Sequence, residues 1–299
     1  MAAPGLLLVD KPGGITSHDV VARARRALGT RKIGHAGTLD PMATGLLVLG
    51  VEGATRLLTF IVGLDKTYTA TIRLGMATAT DDAEGAVVSS TDASLLDSAA
   101  IETAVAALTG RISQVPSTFS AIKVGGRRAY DLARAGEDVE LRARDVTVSR
   151  FEVLTERRSP ISAEAGVVDL DVVVECSSGT YIRSLARDLG SALGVGGHLT
   201  ALRRTRIGPF DVADGVEVGA LDGARLLDPA ASAAAVLGRL DVTADEARDL
   251  RHGKRLLGAA SRLGTNPTAA IDPAGVLVGV VERRGADVKS VMNMPEEPR

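Results

Sequence analysis

The sequence predicts an α+β protein with a mixed, mainly antiparallel sheet, followed by a small second domain. Apolar runs of strand length are interspersed irregularly with helical segments, and several neighbouring strands have the spacing of hairpins. Residues 66–74 alternate between apolar and polar side chains, as a strand with one buried face does. The composition changes near residues 228–240, which indicates the boundary between the two domains.

The first quarter of the chain combines short strands with two helices. Strands are predicted over residues 5–10, 46–49 and 66–74, and helices over residues 17–28 and 55–61. Ser17 is the predicted N-cap of the first helix, because its hydroxyl can accept from a free N–H group, and Gly29 ends that helix. Tyr68 occupies the inward face of its strand, in step with alternate apolar residues.

The remaining elements are less regular. Helices are predicted over residues 95–108, 127–140, 180–193 and 242–257, and strands over residues 146–154, 167–175, 199–207 and 276–283. Residues 114–123 are predicted to be extended and broken at Pro116, because proline lacks an N–H group. The alanine-rich stretch 231–235 is interpreted as a link, and the polar end of the chain, residues 294–299, as a frayed tail.

Composition and charge narrow the class of protein. The net charge of −2 argues against non-specific nucleic-acid binding, but local basic clusters keep a nucleic acid as a candidate partner. These clusters are Arg23, Arg25, Arg26, Arg31 and Lys32; Lys123, Arg127 and Arg128; and Arg203, Arg204 and Arg206. The single cysteine, Cys176, excludes an intramolecular disulfide and a cysteine-based zinc cluster. We expect a cytoplasmic protein with no signal peptide and no membrane span.

Residues 34–50 form the most informative segment, because they place one carboxylate, Asp40, among small residues. Leu39 and Pro41 flank it, and proline restricts both its own backbone and that of the preceding residue, so Asp40 is predicted on a stiff loop. Three glycines would let a flat ligand approach the backbone: Gly34, Gly37 and Gly45. A simple chain reversal is the alternative interpretation. Asp40 is the strongest candidate nucleophile in the sequence.

Seven motifs together carry a family resemblance. They are residues 10–19 (DKPGGITSHD), 34–45 (GHAGTLDPMATG), 66–68 (KTY), 75–85 (GMATATDDAEG), 120–130 (SAIKVGGRRAY), 178–185 (SGTYIRSL) and 202–204 (LRR). In this order they resemble the TruB family of pseudouridine synthases over about residues 5–210. Each motif alone is moderately specific, and all seven in order are very specific. Residues 243–256 resemble the start of a PUA RNA-binding domain only loosely.

The resemblance implies an enzyme that isomerises uridine 55 in the T-loop of tRNA to pseudouridine. It implies a pseudouridine-synthase catalytic domain at residues 1–238, with an RNA-binding insertion near 110–150, then a small PUA-like domain at 240–292 and a tail at 293–299. The implied partner is the T-arm of tRNA. We expect a monomer without an obligate protein partner, and neither a metal nor a cofactor.

The resemblance also assigns roles to individual residues. Asp40 aligns with the catalytic aspartate, Tyr68 with the tyrosine that packs on the target base, and Arg183 with the arginine that pairs with the aspartate. The expected substrate-binding residues are His35, Leu202, Tyr181, Lys11, Lys123, Arg127 and Arg203. These roles suit the chemistry, because a carboxylate can attack the sugar or the base, a nearby cation keeps it ionised, and an aromatic face receives a flipped base.

Less specific interpretations remain open. Tyr68 could be an ordinary core residue, and Arg183 could form a helix-surface ion pair with Asp188. Asp82 could be structural or could help to order the site, and the structural role is favoured. An aspartate-dependent nucleosidase or glycosidase is a second candidate enzyme, although such enzymes normally use two carboxylates and the Asp40 motif holds one. A tRNA-binding or tRNA-folding module without chemistry would need the basic clusters but not Asp40.

Overall fold

The computed structural model describes residues 3–119, 123–124, 127–128, 141–160 and 165–295. The chain forms two compact units. The first comprises Met1–Pro41, Gly45–Gly63 and Gly208–Arg299, and the second Met42–Thr44 and Leu64–Ile207. The sheets are mixed and mainly antiparallel, which confirms the predicted fold class.

Within the described residues the strands are β1 (Gly5–Lys11), β2 (Ile33–Ala36), β3 (Thr44–Val51), β4 (Lys66–Leu74), β5 (Met76–Thr78), β6 (Val87–Ser90), β7 (Gly110–Gln114), β8 (Lys123–Val124), β9 (Arg127–Arg128), β10 (Arg144–Pro160), β11 (Gly166–Cys176), β12 (Gly197–Ile207), β13 (Phe210–Asp211), β14 (Val216–Glu217), β15 (Arg239–Asp241), β16 (Thr268–Ile271), β17 (Leu277–Arg284) and β18 (Asp287–Asn293). The α-helices there are α1 (Ser17–Ala27), α2 (Leu58–Val62), α3 (Ser98–Ala107), α4 (Ile182–Ala192), α5 (Pro229–Leu237) and α6 (Ala244–Arg251).

The first unit holds a sheet in which β3 pairs antiparallel with β1 and β2, while β14 pairs parallel with β1. Helix α1 buries Val20, Val21 and Ala24 in one apolar cluster with strand residues such as Leu7 and Leu49. Because a fully buried aliphatic side chain contributes about 1.5–3 kcal/mol, this face fixes α1 in the unit. The start of α1 is thereby held within the same core as β1 and β3.

The end of the first unit is a four-stranded sheet in the order β15–β16–β17–β18, with only β15–β16 parallel. Its own apolar cluster includes Leu240, Leu250 and Val281. Helix α6 begins at a reciprocal capping box between Thr243 and Glu246. Residues 239–293 thus have a sheet and a core of their own, and the predicted boundary near residue 238 stays a prediction.

The second unit contains five antiparallel strands in the order β12–β4–β11–β10–β7. Helix α4 packs against β12, and the closest approach is at Gly190, where an added Cβ would lie 2.2 Å from the backbone nitrogen of Gly197. Only a glycine fits there. This close contact sets the depth at which α4, the helix that carries Arg183, lies against the sheet.

Several sequence-based expectations are wrong in detail. The N-cap of α1 is Thr16, which shares a capping box with Asp19, because the hydroxyl of Ser17 binds Leu39 instead. The alanine-rich stretch predicted to be a link forms helix α5, capped by Asp228, in keeping with the high helix propensity of alanine.

Other corrections concern the ends of elements. The helix predicted over residues 127–140 begins at two residues that instead form β9, and its remainder lies outside the described residues. The helix predicted over residues 242–257 ends at Arg251, before a turn at Gly253 that has positive φ. In the predicted tail, the Met294 N–H donates to Val278 O at 2.9 Å, so this residue is held to the sheet. No helix of the described residues is long and apolar enough to cross a membrane.

Candidate active site

Asp40 lies on an irregular segment between β2 and β3, as its proline neighbour predicts, and is half-buried. The residue before it is held by the buried hydroxyl of Ser17, which accepts from Leu39 N at 2.9 Å and donates to Leu39 O at 3.2 Å. The residue after it is held through Pro41 O, which accepts from Gly14 N at 2.9 Å. Backbone groups on both sides of Asp40 are therefore fixed by the start of the chain, so the loop cannot easily redirect the carboxylate.

Lys11 also holds the Asp40 loop, through hydrogen bonds from its side chain. Its side chain is completely buried, and its Nζ donates to Pro12 O and Ile15 O at 2.8 Å and to Pro41 O at 3.2 Å. An ammonium that is enclosed by three carbonyl groups is not available to an RNA phosphate. The structure therefore places Lys11 among the residues that hold the Asp40 loop. Its predicted role in substrate binding stays a prediction.

The glycines around Asp40 have conformational and packing reasons. Gly37 and Gly45 have φ angles of +80° and +101°, which residues with a Cβ rarely adopt. A Cβ on Gly34 would lie 3.1 Å from a Leu58 methyl group. Backbone conformation and close packing account for these three positions, so the expected approach of a flat ligand is not needed to explain them.

His35 lies on β2, five residues before Asp40, and is half-buried. Its ring meets that of His18 edge to face, with centroids 5.5 Å apart and planes at 84°. His18 belongs to the first turn of α1, the helix whose Ser17 holds Leu39. His35 and the Asp40 loop are therefore both in contact with the N-terminal turn of one helix.

Tyr68 lies on the buried face of β4, where sequence alternation predicts it, and its side chain is 7% exposed. Its cross-strand neighbours are Val174 on β11 and Arg204 on β12. Leu202 faces Ala70 in the same pairing and is also buried. Because direct cross-strand neighbours share a face, the structure brings Tyr68, Leu202 and Arg204 together on one surface of the sheet.

Arg183 stands in the first turn of α4 and is almost fully buried. Its Nη1 donates to Thr80 O at 2.9 Å and to Ser117 Oγ at 3.3 Å, and its Nη2 donates to Phe119 O at 2.7 Å. Its Nη1 also lies 3.5 Å from the carboxylate of Asp82. The guanidinium is thus oriented by several groups, which fixes its plane.

The surroundings of Arg183 settle one alternative. Asp188 pairs with Arg187 at 2.8 Å, so the interpretation of Arg183 as a helix-surface partner of Asp188 is wrong. The predicted pairing of Arg183 with Asp40 stays a prediction. Asp82 is held by Thr80 Oγ1 and by the N–H of Glu84, which donates at 3.1 Å. Asp82 is therefore a fixed, buried partner of Arg183. No local sequence pattern indicates this pairing, because about a hundred residues separate the two.

The other expected binding residues occupy different settings. Tyr181 is the N-cap of α4 and is half-buried, and Arg203 is half-buried on the face of β12 opposite Leu202. Arg127 is exposed on β9, which pairs antiparallel with β8, and in this pairing Lys123 lies opposite Arg128. The structure does not describe the side chain of Lys123.

Two buried cations beside Tyr68, Lys66 and Arg204, are not among the predicted site residues. Lys66 lies two residues before Tyr68 on the same face, and its Nζ donates to Leu64 O at 2.6 Å. Burial, assisted by the positive charge of Arg204, lowers the pKa of Lys66 to about 8. The alternation that placed Tyr68 inward also places Lys66 inward, and the spacing of Arg204 from Leu202 puts it on the same side of β12. These signals were available in the sequence.

The remaining features of the site are the single cysteine and the possible metal ligands. Burial raises the pKa of the Cys176 thiol to about 11, so this residue stays a neutral thiol. Among the described residues, no group of three or more His, Cys, Asp or Glu side chains could hold a metal ion.

Three family models match successive parts of the chain, and full-length relatives carry the same name. Residues 25–182 match the model of the TruB family pseudouridylate synthase N-terminal domain, residues 183–239 a tRNA pseudouridylate synthase B C-terminal domain, and residues 237–295 the C-terminal domain of tRNA pseudouridine synthase II. The chain is 57% identical to tRNA pseudouridine synthase B of Leifsonia xyli subsp. xyli, over 99% of this chain and 98% of that protein. It is 55% identical to the protein of that name from Arthrobacter sp., over 96% and 95%.

Solved structures share the fold. An H/ACA RNP bound to a substrate RNA containing 2′-deoxyuridine contains a chain that matches with a TM-score of 0.71 and 23% identity, over 98% of this chain and 85% of that one. The archaeal box H/ACA sRNP Nop10–Cbf5 complex matches with a TM-score of 0.67 and 24% identity, over 98% and 85%. These structures support the fold alone. On the family model and the full-length relatives, the chain belongs to the TruB family of pseudouridylate synthases.

Proposed function

We propose that this protein is a tRNA pseudouridine synthase that isomerises uridine 55 in the T-loop. The observation that carries the proposal is the half-buried Asp40, on a loop whose backbone is held on both sides by Ser17, Gly14 and Lys11. Full-length relatives named tRNA pseudouridine synthase B support the same activity.

Asp40 is the proposed catalytic residue. During isomerisation the N1–C1′ bond breaks, the uracil turns, and a new bond joins C5 to C1′, after which C5 loses its proton. A carboxylate can begin this sequence by attacking the sugar or the base, or by supporting elimination. A fixed loop favours such a step, because misplacement of a catalytic group by about 1 Å can slow a reaction by about a hundredfold.

Tyr68 is proposed to receive the flipped uracil. Its ring lies on a strand face beside the apolar side chains of Leu202 and Val174, a surface that suits a planar base. Stacking on an aromatic ring contributes about 1–3 kcal/mol per base and offsets part of the energy needed to unstack the nucleotide. Arg204, the buried cross-strand neighbour of Tyr68, places a positive charge on the same face.

Arg183 is proposed to keep the catalytic carboxylate ionised. Its charge is held in place by carbonyl groups and by Asp82, so it does not have to be oriented when the substrate binds. Favourable electrostatics of this kind lower the barrier because the protein groups are already in place.

The remaining binding roles are assigned by position. Exposed Arg127 and half-buried Arg203 are proposed to meet tRNA phosphates, together with Lys123 and His35. Residues 240–292 are proposed to form a small RNA-binding domain, and residues 1–238 the catalytic domain. We propose that the protein acts as a monomer.

The test is incubation with an unmodified tRNA transcript, followed by site-specific mapping of pseudouridine and by mass measurement of the RNA. The proposal predicts one pseudouridine at position 55 and an unchanged RNA mass, because isomerisation removes no atoms. Loss of uracil would indicate a nucleosidase or glycosidase instead. Tight tRNA binding with no product would indicate a binding module.

A further inference from the structure

Gln114, the last residue of β7, makes a pair of hydrogen bonds for which the proposed mechanism has no use. Its side chain is 2% exposed. Its Oε1 accepts from Tyr181 N at 2.9 Å, and its Nε2 donates to Tyr181 O at 3.1 Å. The amide therefore binds both backbone groups of one residue that is 67 positions away in the chain.

Tyr181 is the N-cap of α4 and lies two residues before Arg183. Its own side chain makes no capping hydrogen bond, and its N–H group precedes the first turn of the helix. Its carbonyl also accepts from Leu185 N at 3.2 Å, which is the first hydrogen bond of the helix. Gln114 thus fixes the direction in which α4 begins, and with it the point from which the side chain of Arg183 leaves the backbone.

Contacts run in the opposite direction as well. Arg183 donates to Ser117 Oγ and to Phe119 O, which follow Gln114 by three and five residues. The end of β7 and the segment after it are therefore joined to α4 by the Gln114 amide, which binds the helix backbone, and by the Arg183 guanidinium, which binds the segment. Arg187, one turn further along α4, also donates to Val115 O at 2.7 Å. Of these connections, the Gln114 amide is the one that binds the backbone at the helix start.

We propose that Gln114 is a positioning residue for Arg183. It acts by holding the backbone of Tyr181. The Arg183 guanidinium can then contact its carbonyl partners and serve the reaction without a rearrangement of the helix start. This inference rests on the proposed function, because it needs Arg183 to serve the isomerisation. Errors of about 1 Å in a catalytic group slow reactions by about a hundredfold, so removal of the amide is expected to affect the chemical step.

The primary test compares Gln114→Ala with Ser113→Ala, an exposed neighbour on the same strand. Single-turnover rates of pseudouridine formation and tRNA dissociation constants are measured for both. We expect Gln114→Ala to lower the rate by about ten- to a hundredfold and to change the dissociation constant by less than about threefold. Ser113→Ala is expected to match the wild type. A Gln114→Ala rate within about twofold of the wild type would overturn the inference.

A double-mutant cycle separates positioning from general stabilisation. If Gln114 acts through Arg183, the loss caused by Gln114→Ala should shrink to about threefold or less in an Arg183→Lys background. An undiminished loss in that background would show that Gln114 supports the structure in another way. A wild-type rate for Arg183→Lys itself would refute the proposed role of Arg183, whereas an impaired Arg183→Lys with an unimpaired Gln114→Ala would refute only the positioning role.

Gln114→Glu keeps the size of the side chain and tests the inference if the alanine variant does not fold. A carboxylate can accept from Tyr181 N but repels Tyr181 O, and a protonated carboxyl can donate to it. Burial raises the pKa of a carboxyl group, so the rate of this variant relative to the wild type should rise by about tenfold as the pH falls from about 8 to about 5.5. A pH-independent ratio would contradict the inference.

Discussion

Arg183 and Asp82 form a buried ion pair, with Nη1 and Oδ2 3.5 Å apart and side chains only 4% and 5% exposed. The arginine that is predicted to serve catalysis is therefore held by an aspartate for which the sequence favours a structural role over one in ordering the site. Because both charges are removed from water, each depends on the other. Asp82 thereby becomes a residue through which the position and charge of Arg183 can be tested.

Asp82→Asn should impair both stability and turnover. Removal of one partner of a buried pair leaves the other charge uncompensated, and we expect a loss of about 3–5 kcal/mol in the free energy of unfolding, less if the new amide still accepts from Arg183. Urea denaturation and single-turnover assays measure the two effects. Asp188→Asn, on the partly exposed partner of Arg187, is the control and should change stability by less than about 1 kcal/mol. Equal effects of the two variants would contradict the account.

Lys11→Met should weaken the fold but not tRNA binding. The substitution removes three hydrogen bonds to carbonyl groups, and the relief of a buried charge offsets part of this loss, so we expect destabilisation by about 1–3 kcal/mol. Filter binding at a temperature where the variant is folded should give an unchanged dissociation constant. A tenfold weaker complex with unchanged stability would restore Lys11 to the RNA-binding surface. Lys32→Met, at an exposed lysine, serves as the control for stability only.

Features of the site that depend on neighbouring residues can be predicted from the sequence, whereas contacts between distant segments cannot. The inward position of Tyr68 follows from a period of two along one strand, and the loop at Asp40 from the proline beside it, both of which are local properties. The pairs Arg183–Asp82 and Gln114–Tyr181 join distant segments, and no local pattern contains them. The resemblance implies substrate binding for Lys11, and no local pattern in the sequence reveals that its ammonium donates to three carbonyl groups.

Tyr68 can be tested by separating its ring from its hydroxyl group. If the ring serves only to stack on the base, Tyr68→Phe should be nearly as active as the wild type and Tyr68→Leu should be poor, with a loss that corresponds to about 1–3 kcal/mol of stacking. If the hydroxyl takes part in proton transfer at C5, both variants should fail while tRNA still binds. Full activity of Tyr68→Leu in single-turnover assays would leave Tyr68 as a core residue.

Lys66 should make stability depend on pH in a defined direction. Its pKa is lowered by burial from 10.5 to about 8, so between these values the unfolded chain binds a proton that the folded protein lacks. Stability therefore rises as the pH rises through this interval. Urea denaturation of the wild type and of Lys66→Met at pH 7, 8, 9 and 10 isolates the effect from other titrating groups. The unfolding free energy of the wild type should increase relative to that of Lys66→Met from pH 8 upward. A difference between the two proteins that does not change with pH would contradict a lowered pKa for Lys66.

Asp40→Asn tests the central claim most directly. Its single-turnover rate of pseudouridine formation at position 55 of a tRNA transcript should be measured together with its dissociation constant for the same RNA. The account predicts no detectable product and a dissociation constant within about threefold of the wild type, because the change is nearly isosteric and leaves the phosphate contacts in place. A rate within tenfold of the wild type, a difference of only about 1.4 kcal/mol in the barrier, would contradict a catalytic role for Asp40.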